Sequence, residues 1–243
     1  MANQYLSEEL GTPAVGDTAV VLGPEARHAV TVSRLAVGEV VRVGNGSGVV
    51  ASGTVTAVAP SEFRFDVDVV QSIERPSPAI WLAQALAKGD RDELAIQAAT
   101  ELGADGLVPW TASRSISRWE GAKVAKGQER WAAVVREATK QSARAWLPEV
   151  APLVTTKQLA ELAETARMIV LDPLAETGLA TIETDDRDLV LVVGPEGGIS
   201  PAEFELLYSA GAVGARLGDG ILRTSTAGPA AIAVLSAKLG RWS

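Results

Sequence analysis

The chain contains no cysteine and only one histidine, and these two absences exclude several kinds of chemistry. Without thiols there are no disulfides, no thiolate zinc sites and no cysteine nucleophile. A Ser-His-Asp hydrolase would have to work through His28 alone, and the G-x-S-x-G motif of such enzymes is missing. We therefore exclude a small-molecule hydrolase and expect His28 to be structural or a modest binding contact.

Long hydrophobic runs are also absent. Runs such as Leu189–Val193 are far too short to cross a bilayer. The stretch MANQYLSEEL has neither the basic nor the apolar region of a signal peptide, so we expect a cytoplasmic protein without a membrane partner. The 243 residues, 47% hydrophobic and 21% charged, are typical of a globular protein with one large or two ordinary domains.

Positive charge is scarce, and the net charge of −8 argues against a general nucleic-acid binder. The exception is segment 112–146, which holds 8 basic and 3 acidic residues. Within it, Arg136, Lys140 and Arg144 follow at intervals of four, which predicts one basic face of a helix. Taken alone, a solvated helix face is the simpler interpretation of this spacing.

Residues 1–74 have the pattern of a β-rich domain. Short valine-rich and threonine-rich runs are separated by turn residues, and EARHAVTVSRL between the first two predicts a short helix. The glycines of GNGSG (44–48) precede another strand pattern rather than a helix, which favours a hairpin turn over a nucleotide loop. The linker is expected in ERPSPA (74–79), because its two prolines interrupt either kind of element.

Residues 75–243 alternate between strand and helix patterns. We predict strands in AIWLAQAL, GLVPWT, RMIVLDP, LVLVVGP and ARLGDGIL. We predict helices in GDRDELAIQAATELG, GQERWAAVVREATKQSARAW and AGPAAIAVLSAKLG. This alternation indicates a mostly parallel sheet covered by helices on both faces.

The segment GPEGGIS (194–200) directly follows one predicted strand. Ser200, Pro201 and Glu203 together predict a helix start with a capping box. A tight turn would need one glycine, whereas this segment has three, so we expect exposed main chain to approach a ligand. The lysine of a phosphate-binding P-loop is missing, which favours an adenosine-sized or amino-acid-bearing ligand.

Two further predicted strand ends carry loops of the same kind. Arg223 precedes the last predicted helix, where its guanidinium fits a carboxylate, a phosphate or a developing oxyanion. Asp172 follows another strand and either touches a ribose hydroxyl or caps the turn. Open α/β sheets bind ligands at the carboxyl ends of their strands, so these loops predict one site.

The motif LVVGPEGGISPAE, followed by LGDGILRTSTA, closely resembles the ribosomal RNA small-subunit methyltransferase E family. HAVTVSRLAVGE, KGDRDELAIQAATELGADGLVPWTASRS and REATKQSARAWLPEV extend the resemblance over nearly the whole chain. The resemblance implies an α/β fold of the SPOUT type, with a trefoil-knotted, mostly parallel sheet. It also implies that the amino-terminal part of the chain is a PUA-like β-barrel domain that binds RNA. A homodimer is implied as well.

The activity implied by the resemblance is methylation of N3 of a uridine in 16S ribosomal RNA, either free or in the assembled small subunit. S-adenosylmethionine would be the methyl donor, with no metal. The missing cysteine agrees with this activity, because methylation at pyrimidine C5 generally uses a cysteine nucleophile. The alternatives are a SPOUT methyltransferase acting on another rRNA or tRNA nucleotide, and a non-catalytic RNA-binding assembly factor.

For this implied reaction, we expect Arg223 to stabilise the negative charge that develops on the uracil and Glu196 to orient the cofactor or a catalytic group. We expect the cofactor to contact Leu171, Asp172, Pro173, Gly194, Glu196, Gly197, Gly198, Leu217, Gly218, Ile221, Leu222, Thr224, Thr226 and Ala227. With an RNA substrate implied, phosphate contact becomes the favoured role of the basic residues. The candidates are Arg27, His28, Arg34, Lys88, Arg91, Arg114, Arg136, Lys140 and Arg144.

This chain departs from the family pattern at three places. Asp219-Gly220 stands where the family commonly has Pro-Arg, and Ser225 where it often has Glu. Lys140-Gln141-Ser142 replaces a frequent Glu-Gln-Ser. We therefore expect no fixed role for the side chains at 219, 220 and 225, whereas the loop backbone and Arg223 are intact.

Overall fold

The computed structural model describes residues 4–242 and divides the chain into two compact units. The first unit comprises residues 1–75 and 139–147, and the second comprises 76–138 and 148–243. A single boundary near residue 74 would place segment 139–147 in the second domain. The structure instead groups this segment with the first unit.

The first unit is built on a five-stranded sheet of order β1-β3-β4-β5-β2. Only β1 and β3 pair in parallel, and the other neighbours are antiparallel. Alternating apolar residues such as Val41, Val43, Phe63 and Phe65 are fully buried and form its core. The strands are β1 Gln4–Leu6, β2 Thr18–Leu22, β3 Val40–Gly44, β4 Val49–Ala59 and β5 Glu62–Ser72.

The connections of this sheet follow the predicted pattern, and a π-helical turn is the one feature that the sequence did not predict. GNGSG forms the hairpin loop between β3 and β4, where Asn45 Oδ1 accepts hydrogen bonds from the N–H groups of Ser47 and Val49. The short helix after β2 has two parts, α1 (Gly23–Arg27) and a π-helical turn at His28–Val32. Such π-helical turns are rare and are often found at functional sites.

Segment 139–147 is tied to the first unit by its own side chains. Trp146 Nε1 donates a hydrogen bond of 2.8 Å to the carbonyl of Ile73. A Cβ on Gly48 would lie 2.7 Å from the Trp146 ring, so only glycine fits under the indole. The Lys140 ammonium lies 3.2 Å from the Glu25 carboxylate, and both side chains are about nine-tenths buried.

The second unit contains a sheet of order β12-β10-β11-β6-β7-β8, with β9 also pairing with β7. All of these pairs are parallel, which confirms the predicted α/β sheet. The trefoil knot stays a prediction. The strands are β6 Ile80–Ala85, β7 Gly106–Thr111, β8 Glu149–Val150, β9 Val154–Thr155, β10 Arg167–Leu171, β11 Leu189–Val193 and β12 Val213–Ala215.

Helices cover both faces of this sheet. Ala83 of β6 packs with α4 and α5 in one apolar cluster, whereas its neighbour Leu82 meets α6 on the opposite face. A Cβ on Gly228 of α6 would lie 2.9 Å from Leu82, so the helix approaches the strand closely. The helices are α2 Arg91–Leu102, α3 Ala122–Gln141, α4 Thr156–Glu161, α5 Pro201–Ser209 and α6 Thr224–Lys238.

Several boundaries differ from the sequence predictions. Helix α3 ends at Gln141 rather than continuing to Trp146, and Ala143 adopts a left-handed backbone with φ of 55°. Helix α6 begins at Thr224, three residues earlier than expected, and the last strand (213–215) lies mostly before ARLGDGIL. The sequence patterns did not predict β1, β8, β9 or α4.

One buried carboxyl at the start of α2 is notable. Asp92 is only 5% exposed, and Glu93 N–H donates to its Oδ1 at 3.0 Å. Burial raises the pKa of Asp92 to about 6, because loss of water outweighs the hydrogen bonds from backbone N–H groups.

Among the helices within residues 4–242, none is both long and apolar enough to span a membrane.

Candidate functional site

The carboxyl ends of β12, β10 and β11 lie side by side in the sheet. Because the strands are parallel, the loops that start at residues 216, 172 and 194 leave the same edge. The loop after β6, residues 86–90, leaves this edge beside the loop after β11. The structure thus brings together the three predicted loops and adds a fourth.

The glycine loop, residues 194–198, is shaped by tight local packing. A Cβ on Gly194 would lie 2.7 Å from Ile199 Cγ1, and one on Gly197 would lie 3.1 Å from Arg114 Cβ. Gly198 has a φ of 73°, which favours glycine for conformational reasons. Each of the three glycines therefore has a structural cause, so their number alone does not indicate a ligand. The exposed main chain at Glu196 and Gly197 is the feature that a ligand can reach.

Thr224, the first residue of α6, ties three elements together. Its hydroxyl donates to the Gly194 carbonyl at 2.8 Å and accepts from Gln84 Nε2 at 2.8 Å. Thr224 is 8% exposed and Gln84 at the end of β6 is fully buried. The Thr224 side chain therefore connects α6, the glycine loop and β6, and sequence reasoning missed Gln84.

Glu196 links the glycine loop to the loop after β6. Its Oε1 accepts hydrogen bonds from the Lys88 N–H at 3.0 Å and from Arg91 Nη1 at 2.7 Å. Burial alone would raise the pKa of Glu196, but its own backbone N–H, Arg91 and Lys88 outweigh burial and lower the pKa. The carboxylate is thus a charged brace of the loop. Arg91, a candidate RNA contact, is half exposed beside it.

Asp172 caps the turn after β10. Its Oδ1 accepts from the Leu174 N–H at 2.9 Å, and its Oδ2 accepts from the Tyr208 hydroxyl at 3.0 Å. Burial and the neighbouring carboxylate raise the pKa of Tyr208 to about 12, so the hydroxyl remains a donor. A Cβ on Gly214 would lie 2.7 Å from that hydroxyl. These contacts support the turn-capping interpretation of Asp172, whereas the partner Tyr208 was not predicted from the sequence.

The loop after β12 is open. Gly218 has a φ of 73°, and Asp219 forms an exposed ion pair with Arg216 at 3.5 Å. Ile221 is 83% exposed and Leu222 is 40% exposed. The other predicted cofactor contacts near this sheet edge, at the end of β10, in the loops and in the first turn of α6, are at least partly accessible: Leu171, Pro173, Leu217, Thr226 and Ala227.

Arg223 is the N-cap residue of α6, and its carbonyl accepts hydrogen bonds from the N–H groups of Thr226 and Ala227. The residue is exposed, and its guanidinium forms no hydrogen bond or ion pair with any residue between 4 and 242. This cation is therefore available at the start of α6, next in sequence to Thr224, which is bonded to the glycine loop.

Glu203, close to the glycine loop in sequence, was predicted as part of a helix cap but makes further contacts. Glu203 completes the capping box with Ser200, and it also accepts hydrogen bonds from the Ser113 N–H, the Ser113 hydroxyl and the Thr156 hydroxyl. The three distances are 2.7, 2.8 and 3.0 Å. Burial would raise the pKa of Glu203, but the hydrogen bonds of Ser200 and Ser113 lower it.

The prediction that Arg136, Lys140 and Arg144 share one helical face is wrong. Helix α3 ends at Gln141, so Arg144 lies beyond it. Lys140 is buried against Glu25 and is a structural ion pair of the first unit rather than a phosphate contact. Arg136 and Arg144 are half-buried.

The remaining RNA candidates are exposed. In the first unit, Arg27 and His28 lie where α1 meets the π-helical turn, and Arg34 follows with a φ of 56°. In the second unit, Lys88 is exposed, and Arg114 Nη1 donates to the Gly197 carbonyl at 3.2 Å.

Known proteins resemble both units. The family model of an RNA methyltransferase domain matches residues 74–236. The family model of an RNA methyltransferase PUA domain matches residues 21–68, which confirms the predicted PUA-like domain. The ribosomal RNA small subunit methyltransferase E of Mycobacterium bovis is 42% identical over 236 residues, covering 95% of this chain and 90% of that protein. The Bacillus subtilis enzyme of the same name is 30% identical, covering 89% and 88%.

Solved structures agree with these sequence matches. The ribosomal RNA small subunit methyltransferase E of Neisseria gonorrhoeae, bound to S-adenosyl methionine, has a TM-score of 0.87 at 26% identity, covering 98% of each chain. A Legionella pneumophila methyltransferase with bound cofactor SAM has a TM-score of 0.86 at 27% identity, also covering 98% of each. The chain therefore belongs to the ribosomal RNA small subunit methyltransferase E family.

Proposed function

We propose that this chain transfers a methyl group from S-adenosylmethionine to N3 of a uridine in 16S ribosomal RNA. The observation that carries the proposal is the junction of three loops at one sheet edge, together with Arg223, whose guanidinium has no partner among residues 4–242. The relatives are named as small-subunit rRNA methyltransferases, and two solved neighbours hold the methyl donor.

The methyl donor binds to the main chain of the three loops, residues 171–173, 194–198 and 217–227. Glu196 and Gly197 are exposed, and their peptide groups match the hydrogen-bonding edge of an adenine and the ribose hydroxyls. Two of these groups already have protein partners, because the Gly197 carbonyl accepts from Arg114 Nη1 and the Glu196 N–H interacts with its own carboxylate. Thr224 and Glu196 serve the site indirectly, because their side chains are already bonded to protein groups that fix the loop. Glu196 is thus a positioning residue and not the proton acceptor.

The chemical step needs alignment and charge stabilisation. The sulfonium of the donor supplies an electrophilic methyl group, so no metal is required. Uracil N3 loses its proton to solvent, so that negative charge develops on O2 and O4 of the base. The N3 lone pair then attacks the methyl carbon, the carbon–sulfur bond breaks, and S-adenosylhomocysteine leaves as a neutral thioether. The Arg223 guanidinium, helped by the positive end of the 15-residue helix α6, stabilises the negative charge on the base.

RNA is held by scattered contacts rather than by a general basic surface, because the chain is acidic overall. In the first unit these contacts come from Arg27, His28, Arg34 and Arg144. In the second unit they come from Lys88, Arg91, Arg114 and Arg136. The structural role of Lys140 removes it from this set.

A homodimer is part of the proposal. Leu174 is 91% exposed after β10 and Ile221 is 83% exposed after β12, beside the proposed cofactor loops. Exposed apolar side chains at such a site favour burial against another protein surface. Sedimentation at micromolar concentration tests this part, with a dimer expected, and a monomer would contradict it.

The test of the proposed function is to map methylated nucleotides in rRNA from cells with and without the gene. We expect one N3-methyluridine in 16S rRNA to disappear on deletion and to return with the wild-type gene, but not with Arg223→Ala. Loss of a methyl group from another rRNA or tRNA nucleotide would contradict the proposed target. Calorimetry that detects no S-adenosylmethionine binding would instead favour a non-catalytic RNA-binding factor.

A further inference from the structure

A second concave site opens beside the glycine loop, within the second unit. The cavity has a volume of about 410 Å³ and lies where β7 and β9 end and where α4 and α5 begin. This volume is in the range of small-ligand sites. Ala202 and Leu206 contribute exposed apolar surface, whereas Arg118 and Lys157 contribute positive charge.

The negative group in this cavity is already compensated. Both carboxylate oxygens of Glu203 accept hydrogen bonds, from Ser113, Thr156 and Ser200. These contacts lower the pKa of Glu203 against the effect of burial and hold the cavity wall in one conformation. The groups left for a ligand are therefore the two cations and the apolar surface.

Neither Arg118 nor Lys157 has an acidic partner in the described part of the chain. The Arg118 guanidinium makes one long hydrogen bond, 3.5 Å to the Ser113 carbonyl, and no ion pair within residues 4–242. The Lys157 ammonium forms neither a hydrogen bond nor an ion pair with the part of the chain that the structure describes. Two such cations lining one cavity match a single phosphodiester. Together they bind its negative charge more strongly than one cation alone would.

The cavity shares a wall with the proposed cofactor site. Ser200, which lines the cavity, follows the glycine loop by two residues, and Ser113 directly precedes Arg114. Arg114 packs its Cβ against Gly197 and donates to the Gly197 carbonyl. A nucleotide in the cavity would therefore lie next to the loop at which a target base meets the methyl donor.

We propose that this cavity is a subsite for the RNA strand next to the target base. One phosphodiester binds Arg118 and Lys157, and the attached nucleoside rests on Ala202 and Leu206. This inference rests on the proposed function, because it assumes an RNA substrate. It adds a binding site for a neighbouring nucleotide, which neither the glycine loop nor Arg223 provides.

The test compares two double variants that remove the same charge. Arg118→Gln/Lys157→Gln empties the subsite of cations. The control, Arg187→Gln/Lys238→Gln, changes exposed cations just before β11 and at the end of α6, away from the carboxyl edge. Unmethylated 16S rRNA from cells lacking the gene is the probe, and its dissociation constant is measured by filter binding at salt concentrations on both sides of about 0.1 M, where the Debye length is about 10 Å. Binding of S-adenosylmethionine is measured by calorimetry.

For the subsite variant we expect about tenfold weaker RNA binding than for the control, as for a lost charge-assisted contact. Its slope of log affinity against log salt should be less steep by about 0.7, which corresponds to one phosphate of a single strand. Affinity for S-adenosylmethionine should stay at the wild-type value, and Arg118→Lys/Lys157→Arg should retain RNA affinity.

Three results would overturn the subsite. They are RNA affinity and salt slope equal to those of the control, an equal loss of cofactor affinity, and failure of the charge-preserving variant to retain RNA binding. If the wild-type protein does not bind this RNA, the proposed function and the subsite both fail. If it binds but methylates another nucleotide, only the proposed target fails, because the subsite is judged by binding.

Discussion

The hydroxyl of Thr224 offers a sharp test of how the glycine loop is held. It donates to the Gly194 carbonyl and accepts from Gln84 Nε2, both at 2.8 Å. Thr224→Val keeps the shape of the side chain and removes both hydrogen bonds. The Gly194 carbonyl then loses the one hydrogen bond that the described residues make to its oxygen, and Gln84 Nε2 retains only the Ala85 carbonyl at 3.1 Å.

The expected cost follows from burial. Gln84 is fully buried and Thr224 is 8% exposed, so water replaces neither bond well. A buried group left unsatisfied costs about 1–3 kcal/mol, and two partly compensated groups give about 3 kcal/mol in the free energy of unfolding. The control Thr224→Ser keeps both bonds and loses one methyl group, which costs about 1 kcal/mol.

Urea unfolding of the three proteins, with calorimetric titration of S-adenosylmethionine, measures both effects. We expect Thr224→Val to be less stable than Thr224→Ser by about 2 kcal/mol. We also expect only the valine variant to bind the methyl donor more weakly, because the Gly194 carbonyl is no longer tethered. A valine variant as stable as the serine variant, with unchanged cofactor affinity, would refute this reasoning.

Three further predictions concern single side chains. Arg223→Ala should lower kcat by about 100-fold, as for loss of a charge-stabilising donor, while the Kd of S-adenosylmethionine changes little; equal losses would remove its catalytic role. Because burial raises the pKa of Asp92 to about 6, its favourable contribution is present below pH 4 and is lost as the pH rises through 6. Asp92→Asn should therefore stabilise the protein at pH 8 by about 3 kcal/mol and give little gain at pH 4, as judged by unfolding at both values. Lys140→Met should cost about 3 kcal/mol by leaving Glu25 buried without its cation, and adding Glu25→Gln should recover part of that loss; an unchanged Tm in the single variant would contradict the buried ion pair.

Local chemistry predicted the parts of the site that depend on neighbours in sequence. Ser200, Pro201 and Glu203 form the predicted capping box because their roles depend on residues within one turn. The strand patterns before residues 172 and 194 are buried apolar runs with clear ends. Parallel pairing then brings those ends to one edge, as the alternation of strands and helices indicated.

The tertiary contacts could not be predicted in the same way. Arg91 meets Glu196 across 105 residues, and Gln84 meets Thr224 across 140, so no short-range pattern links either pair. The end of α3 was missed for a related reason. The helical spacing of basic residues continues past Gln141, but Lys140 is held by Glu25 in the first unit and the chain turns at Ala143.

The central claim is that main chain at three neighbouring strand ends holds the methyl donor beside Arg223. A crystal structure of this protein with S-adenosylmethionine tests it most directly. We expect the adenine and ribose to contact backbone atoms of residues 171–173, 194–198 and 217–227, with the sulfonium methyl group directed to the space next to the Arg223 guanidinium. A donor bound elsewhere, or held mainly by side chains away from these loops, would contradict the account.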